Sequence, residues 1–170
     1  YSLDNLQYIP EDAPDNGLSL IIIPATSPVH VHYAQNAPTF QHIFMKPIIG
    51  WIAGTHLDDL GKITPKAFNG QTGEILYQKT VVMHLTLPPN KITLVNIINL
   101  FEQGDGDEIM FEHEGFSVND CLINGEKRNF ADYLLEKQVD IKYPLVADYC
   151  GAIVNVSFQN IDTDKKQVNL

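Results

Sequence analysis

The chain has 170 residues, 44% of them hydrophobic and 19% charged, which is about one domain of sequence with ample apolar material for a core and argues against disorder. Its formal net charge of −10 repels phosphate backbones, and Lys127-Arg128 is too small a basic patch to offset that, so nucleic acid is not an expected partner. No apolar run approaches the roughly 20 residues needed to cross a bilayer and no basic-then-apolar signal opens the chain, so no membrane association is expected and a cytoplasmic setting is.

The chain opens on Tyr1 rather than Met. It reads as a single domain over residues 1–170, with a fragment of a longer chain left open. Tyr1–Gly17 is rich in Pro, Asp and Asn and reads as an extended lead-in with little core. Leu18–Pro24 is a short apolar strand. Ser27-Pro28 starts a helix, with a Ser cap and Pro at the first helical position, that runs to about Gln35. Phe40, Ile43 and Phe44 fall at helical spacing within Thr39–Met45, which predicts a second short helix. Ile48–Ala53 reads as a buried strand with Gly50 inside it, and Leu57–Lys62 as a turn.

Asn69-Gly70 and Thr72-Gly73 mark further turns. Thr80–Leu87 alternates as a strand does, ended by Pro88-Pro89. Ile92–Phe101 fits a helical stripe at Leu94, Ile97, Ile98 and Phe101, but its β-branched density favours a strand. Gln103–Asp107 is then a hairpin loop leading into Glu108–Phe111. Phe116–Ile123 reads as a strand, Asn124-Gly125 as a tight turn, and Asn129–Lys137 as a short capped helix. Ala152–Phe158 alternates as a half-buried strand, and Gln167–Leu170 reads as the start of another. The fold class expected is α+β: a mixed, mainly antiparallel sheet with a few short helices.

Candidate chemistry is sparse. His30-Val-His32 would chelate a metal from a strand, but on the helix started by Ser27 residues two apart diverge by about 200° and share no ion. His56-Leu-Asp58-Asp59 lies in a polar loop after a strand, where sites gather; the competing role for the Asp pair is capping a turn. Gln103–Glu108 lacks the twelve-residue spacing of a calcium loop, and Gly with Asp is also what a hairpin loop requires. Asp148 follows the apolar Pro144–Ala147, where an unpaired carboxylate is costly, so it is either satisfied by backbone N–H groups or lines a pocket with Cys150. Two cysteines, Cys121 and Cys150, are too few for a disulfide framework and are not spaced for zinc; two reduced buried thiols are expected, with one bond between them left open. No nucleophile elbow, phosphate loop or dinucleotide fingerprint occurs.

Four stretches together resemble an uncharacterised bacterial family: Phe68-Asn-Gly-Gln-Thr-Gly-Glu74, Asn99-Leu-Phe-Glu-Gln-Gly-Asp-Gly-Asp107, Ile123-Asn-Gly-Glu126 and Pro144-Leu-Val-Ala-Asp-Tyr-Cys-Gly-Ala152. The layout of Val118–Ile123, Asn124-Gly125, Phe130–Glu136 and Pro144-Leu145 is also similar to the C-terminal domain of FIST sensory proteins. That resemblance implies small-ligand binding and a signalling partner, and transfers no functional residue.

The leading expectation is therefore a non-enzymatic small-ligand-binding or sensory domain in bacterial signalling, with no cofactor. Its partners would be a small-molecule metabolite and a signalling protein. The pocket residues expected are Trp51, His56, Asp58, Asn69, Asp148 and Cys150, because polar groups and the one Trp sit at strand ends or in apolar surroundings. The alternatives are a small hydrolase or metal-assisted enzyme using the same residues, and a structural interaction domain that oligomerises through an open sheet edge.

Overall fold

The computed structural model describes residues 1–59, 61–96, 98–149 and 152–170. Contacts within the chain divide it into two compact units, Tyr1–Val95 and Asn96–Leu170. Each has its own hydrophobic core.

In the first unit a 3-10 turn at Leu6–Tyr8 runs into α1 (Ile9–Asp12), with Pro10 in the first turn, where its missing N–H costs nothing. Leu6 and Ile9 are fully buried. This corrects the expected extended lead-in: an apolar pair three residues apart falls on one side of a helical turn and joins the core. Strand β1 (Gly17–Pro24) leads into α2 (Pro28–Asn36). The Ser27 hydroxyl caps α2, accepting the His30 N–H at 3.3 Å and donating to the Pro24 carbonyl at 2.6 Å. The expected helix over 39–45 is two separate 3-10 turns, Ala37–Thr39 and Ile43–Met45, broken at His42, whose φ is +65°.

Strand β2 (Ile48–Ala53) then pairs parallel to β1, from Ser19 opposite Ile48 to Pro24 opposite Ala53. A small hairpin, β3 (Ala67–Phe68) and β4 (Ile75–Leu76), precedes β5 (Val81–Thr86), which closes the other side of β1 antiparallel. Ser19, Ile21 and Ile23 of β1 point to the buried face, where Ile21 and Ile23 meet Leu6, Ile9, Val29 and Phe40. β2 has the expected bounds but is not buried: Ile49, Trp51 and Ile52 are 41%, 59% and 44% exposed, because it is the edge of its sheet.

Ile92–Phe101, expected as a strand, joins no sheet among the described residues. β-branched side chains favour strands through the neighbours they pack on, and here the described residues supply no strand partner; Asn99 instead exchanges amide hydrogen bonds with Asn155, both at 2.9 Å.

The second unit carries β6 (Ile109–Met110), β7 (Ser117–Val118), β8 (Asp120–Ile123) and β9 (Glu126–Asn129), then α3 (Phe130–Glu136). It continues with β10 (Leu145–Tyr149), β11 (Ala152–Val156), β12 (Asn160–Asp162) and β13 (Gln167–Asn169). The single strand expected over 116–123 is split at Asn119 into β7 and β8, which serve different sheets. The Asn119 amide donates to the Lys165 and Lys166 carbonyls, both at 3.1 Å, and its own carbonyl accepts the Phe130 N–H at 2.7 Å, so it is committed to a corner. Asn124 and Gly125 have φ of +50° and +83°, the left-handed pair that a two-residue hairpin between β8 and β9 requires. Asn129 caps α3 by accepting the Asp132 N–H at 3.0 Å. Helix α3 buries Phe130, Ala131, Tyr133 and Leu134 against Val118, Cys121, Ile123 and Val168.

The class is α+β: three short α-helices and thirteen short, mostly antiparallel strands among the described residues, divided among five small sheets rather than one. No helix among the described residues is long and apolar enough to cross a membrane.

Candidate functional site

Two cavities stand out among the described residues of the first unit. The larger, about 570 Å³, is walled by Pro10 and Glu11 of α1, Asp15 in the loop before β1, and Gln41, His42, Met45 and Lys46 around the second 3-10 turn. Lys46 is its ordered cation. Its side chain is only 15% exposed, and Nζ donates to the Ala13 carbonyl at 3.2 Å and to Asp15 Oδ1 at 2.6 Å. Two of the three ammonium protons are thus placed, and the stem is fixed before any ligand arrives. Lys46 holds the Asp15 carboxyl below its usual range. The cavity therefore presents a held cation, the Asp15 and Glu11 carboxylates and an imidazole, with Pro10 and Met45 as apolar wall.

The smaller cavity, about 300 Å³, opens at the carboxyl ends of the parallel strands β1 and β2. Ala25 and Thr26 leave one strand and Gly54 and Thr55 the other, and Gly61–Pro65 closes it. The Ala25 N–H bonds the Ala53 carbonyl at 2.9 Å, which keeps the two strand ends together. Crevices at this end of parallel strands are where ligands enter open α/β sheets.

Of the residues expected to form a pocket, the four in the first unit, Trp51, His56, Asp58 and Asn69, line neither of these cavities. His56 and Asp58 are together in the loop that walls the smaller cavity, with Nδ1 3.5 Å from Asp58 Oδ2, but both side chains point largely into solvent. The His56 ring accepts the Asp58 N–H at 3.3 Å, so the histidine serves the 3-10 turn at Leu57–Asp59. Trp51 stands exposed on the outer face of β2. Asn69 sits in the β3–β4 hairpin, where its side-chain oxygen accepts the Gln71 and Thr72 N–H groups at 3.0 and 3.3 Å, a turn-forming role. Asp148 is on β10 opposite Ile153, in the other unit. Cys150 lies outside the described residues.

The remaining motifs resolve into structural work. His30 and His32 both lie on α2. His30 Nδ1 accepts the Thr26 N–H at 3.2 Å, while the His32 ring stacks on Phe40 with centroids 6.3 Å apart. Burial holds the His30 imidazole below its usual pKa. In the Gly-Asp loop, Asp107 takes the Tyr133 hydroxyl on one oxygen and the Asn124 amide on the other, each at 2.8 Å, which ties the β8–β9 turn to α3. Those bonds lower the Asp107 pKa, and burial with Asp107 pushes Tyr133 up to about 12. The Cys121 thiol is fully buried, and that burial, with Asp120 beside it, raises its pKa, so it is a poor nucleophile. No group of three metal-ligating side chains occurs among the described residues.

One network was not foreseen. Ser19 Oγ lies 2.8 Å from His84 Nδ1, His84 Nε2 lies 3.0 Å from the Tyr1 hydroxyl, and that hydroxyl donates to Asp12 Oδ2 at 2.6 Å. With a neutral imidazole, one proton arrangement satisfies all three: Ser19 donates to Nδ1, Nε2–H donates to Tyr1, and Tyr1 donates to the carboxylate. Ser19 is fully buried, so no substrate meets its hydroxyl; the network pins α1 and β5 to β1. Alternation in the sequence misses it: it sets Val81, Met83 and Leu85 on the apolar face of β5, whereas the strand turns Val82 and His84 toward Ser19 and the core and leaves Met83 49% exposed.

No curated protein and no solved structure matches the chain. One family model matches residues 1–170, and the chain belongs to that family, the Family of unknown function (DUF6976).

Proposed function

We propose that this chain is a non-enzymatic small-ligand-binding domain of a bacterial, cytoplasmic signalling system, and that its ligand is a zwitterionic metabolite of amino-acid size held beside Lys46. The observation that carries this reading is the larger cavity. Its volume of about 570 Å³ falls in the range of small-molecule sites, and it sets a pre-positioned ammonium among carboxylates. The third Lys46 proton meets the ligand carboxylate, Glu11 meets the ligand ammonium, and Met45 with Pro10 covers the side chain between them. The strand, Asn124-Gly125 turn and α3 of the second unit keep the order that resembles a FIST sensory domain, with β9 inserted between turn and helix, which supports a sensory role.

The test is isothermal titration with the proteinogenic amino acids and their decarboxylated amines. Binding of one or more amino acids, but not of the matching amine, is expected, with Lys46→Met weakening it by roughly 10–100-fold through loss of a charge-assisted hydrogen bond. Asp58→Asn, outside the cavity, leaves affinity unchanged. No heat with any amino acid, or binding indifferent to Lys46, would end this reading.

A further inference from the structure

The segment Lys91–Phe101 is the most exposed apolar stretch among the described residues. Ile92, Leu94, Ile98 and Leu100 are 78%, 79%, 81% and 89% exposed, and Val95 and Phe101 are each 45% exposed. The described residues from 91 to 100 run without turn, bend or sheet partner. Exposed apolar surface on this scale marks an interaction site.

We infer that this segment is a self-association strand: two copies of the chain pair antiparallel through it, about a two-fold axis at Asn96. Three observations select a second copy. The sequence is close to a palindrome about Asn96. Antiparallel pairing with Asn96 opposite Asn96 sets Ile92 against Leu100 and Leu94 against Ile98, so an apolar row meets itself, as an isologous interface demands. The central Asn pair can hydrogen-bond across the axis and penalises a slipped register, in which an amide would face Leu or Ile.

Charge selects the same occupant. The chain carries 21 acidic residues, yet Lys91–Phe101 holds none and has Lys91 as its single charge, so two copies meet here without carboxylates in the contact. A lipid surface is a worse fit, because acidic Glu102, Asp105 and Asp107 follow directly and one lysine cannot anchor to anionic headgroups. The exposed fractions of these six side chains amount to roughly 800 Å², an upper bound on what one partner can bury here and the share each contributes to a standard-size interface.

Sedimentation equilibrium of the whole chain tests this. A concentration-dependent monomer–dimer equilibrium is expected, with Leu94→Glu weakening it by roughly 100-fold or more, since a carboxylate then faces Ile98 of the other copy at two symmetry-related central contacts. Both positions are exposed in the single copy, so the circular dichroism spectrum stays that of the parent. Ile98→Lys alone also weakens association. The double variant Leu94→Glu/Ile98→Lys restores it, because each new carboxylate then faces one new ammonium of the other copy, two such pairs in the dimer. A parent chain that stays monomeric at the highest attainable concentration, a dimer indifferent to Leu94→Glu, or a double variant no better than the singles each overturns the inference. So does a monomer that binds anionic phospholipid vesicles through this segment.

Discussion

Gly50 lies opposite Ile21 in the parallel pairing of β1 and β2, and a Cβ there would overlap the Ile21 carbonyl oxygen and side chain. The glycine inside the expected strand is thus the residue that lets two strands approach. Gly50→Ala should force β2 away from β1 and destabilise the first unit by about 2–4 kcal/mol, read as a lower urea midpoint; an unchanged midpoint would mean that β2 shifts freely. At the same scale, Asp15 is held ionised by Lys46, so its folded pKa lies below the unfolded value. The stabilisation it brings is present above the unfolded pKa and is lost as pH falls through the lowered folded one. Any ligand held at Lys46 should be released over that same acid range, which a pH series of titrations would reveal. Residue roles were the least legible part of the sequence. Asn69 and His56 were sound as polar groups near strand ends, but each spends its acceptor on a backbone N–H within three residues, and such short-range bonds compete with any binding role before tertiary structure forms.

Among the elements, α3 was fully legible because its signals are local: an Asn cap, an acid in the first turn and an apolar face at helical spacing. Asn129→Ala should cost about 1 kcal/mol of stability in the second unit, measured by thermal or chemical unfolding. Tyr133 on the same helix gives a pH signature. Its folded pKa of about 12 exceeds the usual 10, so the protonated form is favoured by folding. That stabilisation is complete below pH 10 and disappears between 10 and about 12. Tyr133→Phe should remove this alkaline loss while lowering stability at neutral pH; a mutant with the parent's alkaline profile would show that Asp107 does not control the tyrosine. Elements were misread where the deciding interaction is distant. Leu6 and Ile9 looked like part of a polar lead-in because the core they enter is built by β1 and α2. Residues 92–101 looked like a strand because their composition fits one, although a strand needs a neighbour that this chain does not supply among the described residues. The tight turn at Asn124-Gly125 needed no such help.

For the whole molecule, the net charge of −10 acts as a uniform self-repulsion that folding concentrates. Screening by moderate salt should raise the melting temperature by about 2–4 °C, the shift expected of roughly 1 kcal/mol in a chain of this size; a fall with salt would mean that ion pairs such as Lys166–Asp132 outweigh the repulsion. Sheet topology adds a different kind of consequence. Strand β13 is late in the chain yet lies between β12 and β7, and its Val168 is fully buried beneath α3. While the ribosome is still adding the residues between β7 and β13, several seconds at about 5–20 residues per second, β7 has no neighbour in its sheet and Phe130 has an unfinished roof. A nascent chain stalled anywhere before Gln167 would therefore display the same apolar surface that chaperones and quality-control proteases recognise. Synthesis through β13 is in effect inspected by the fold of the second unit.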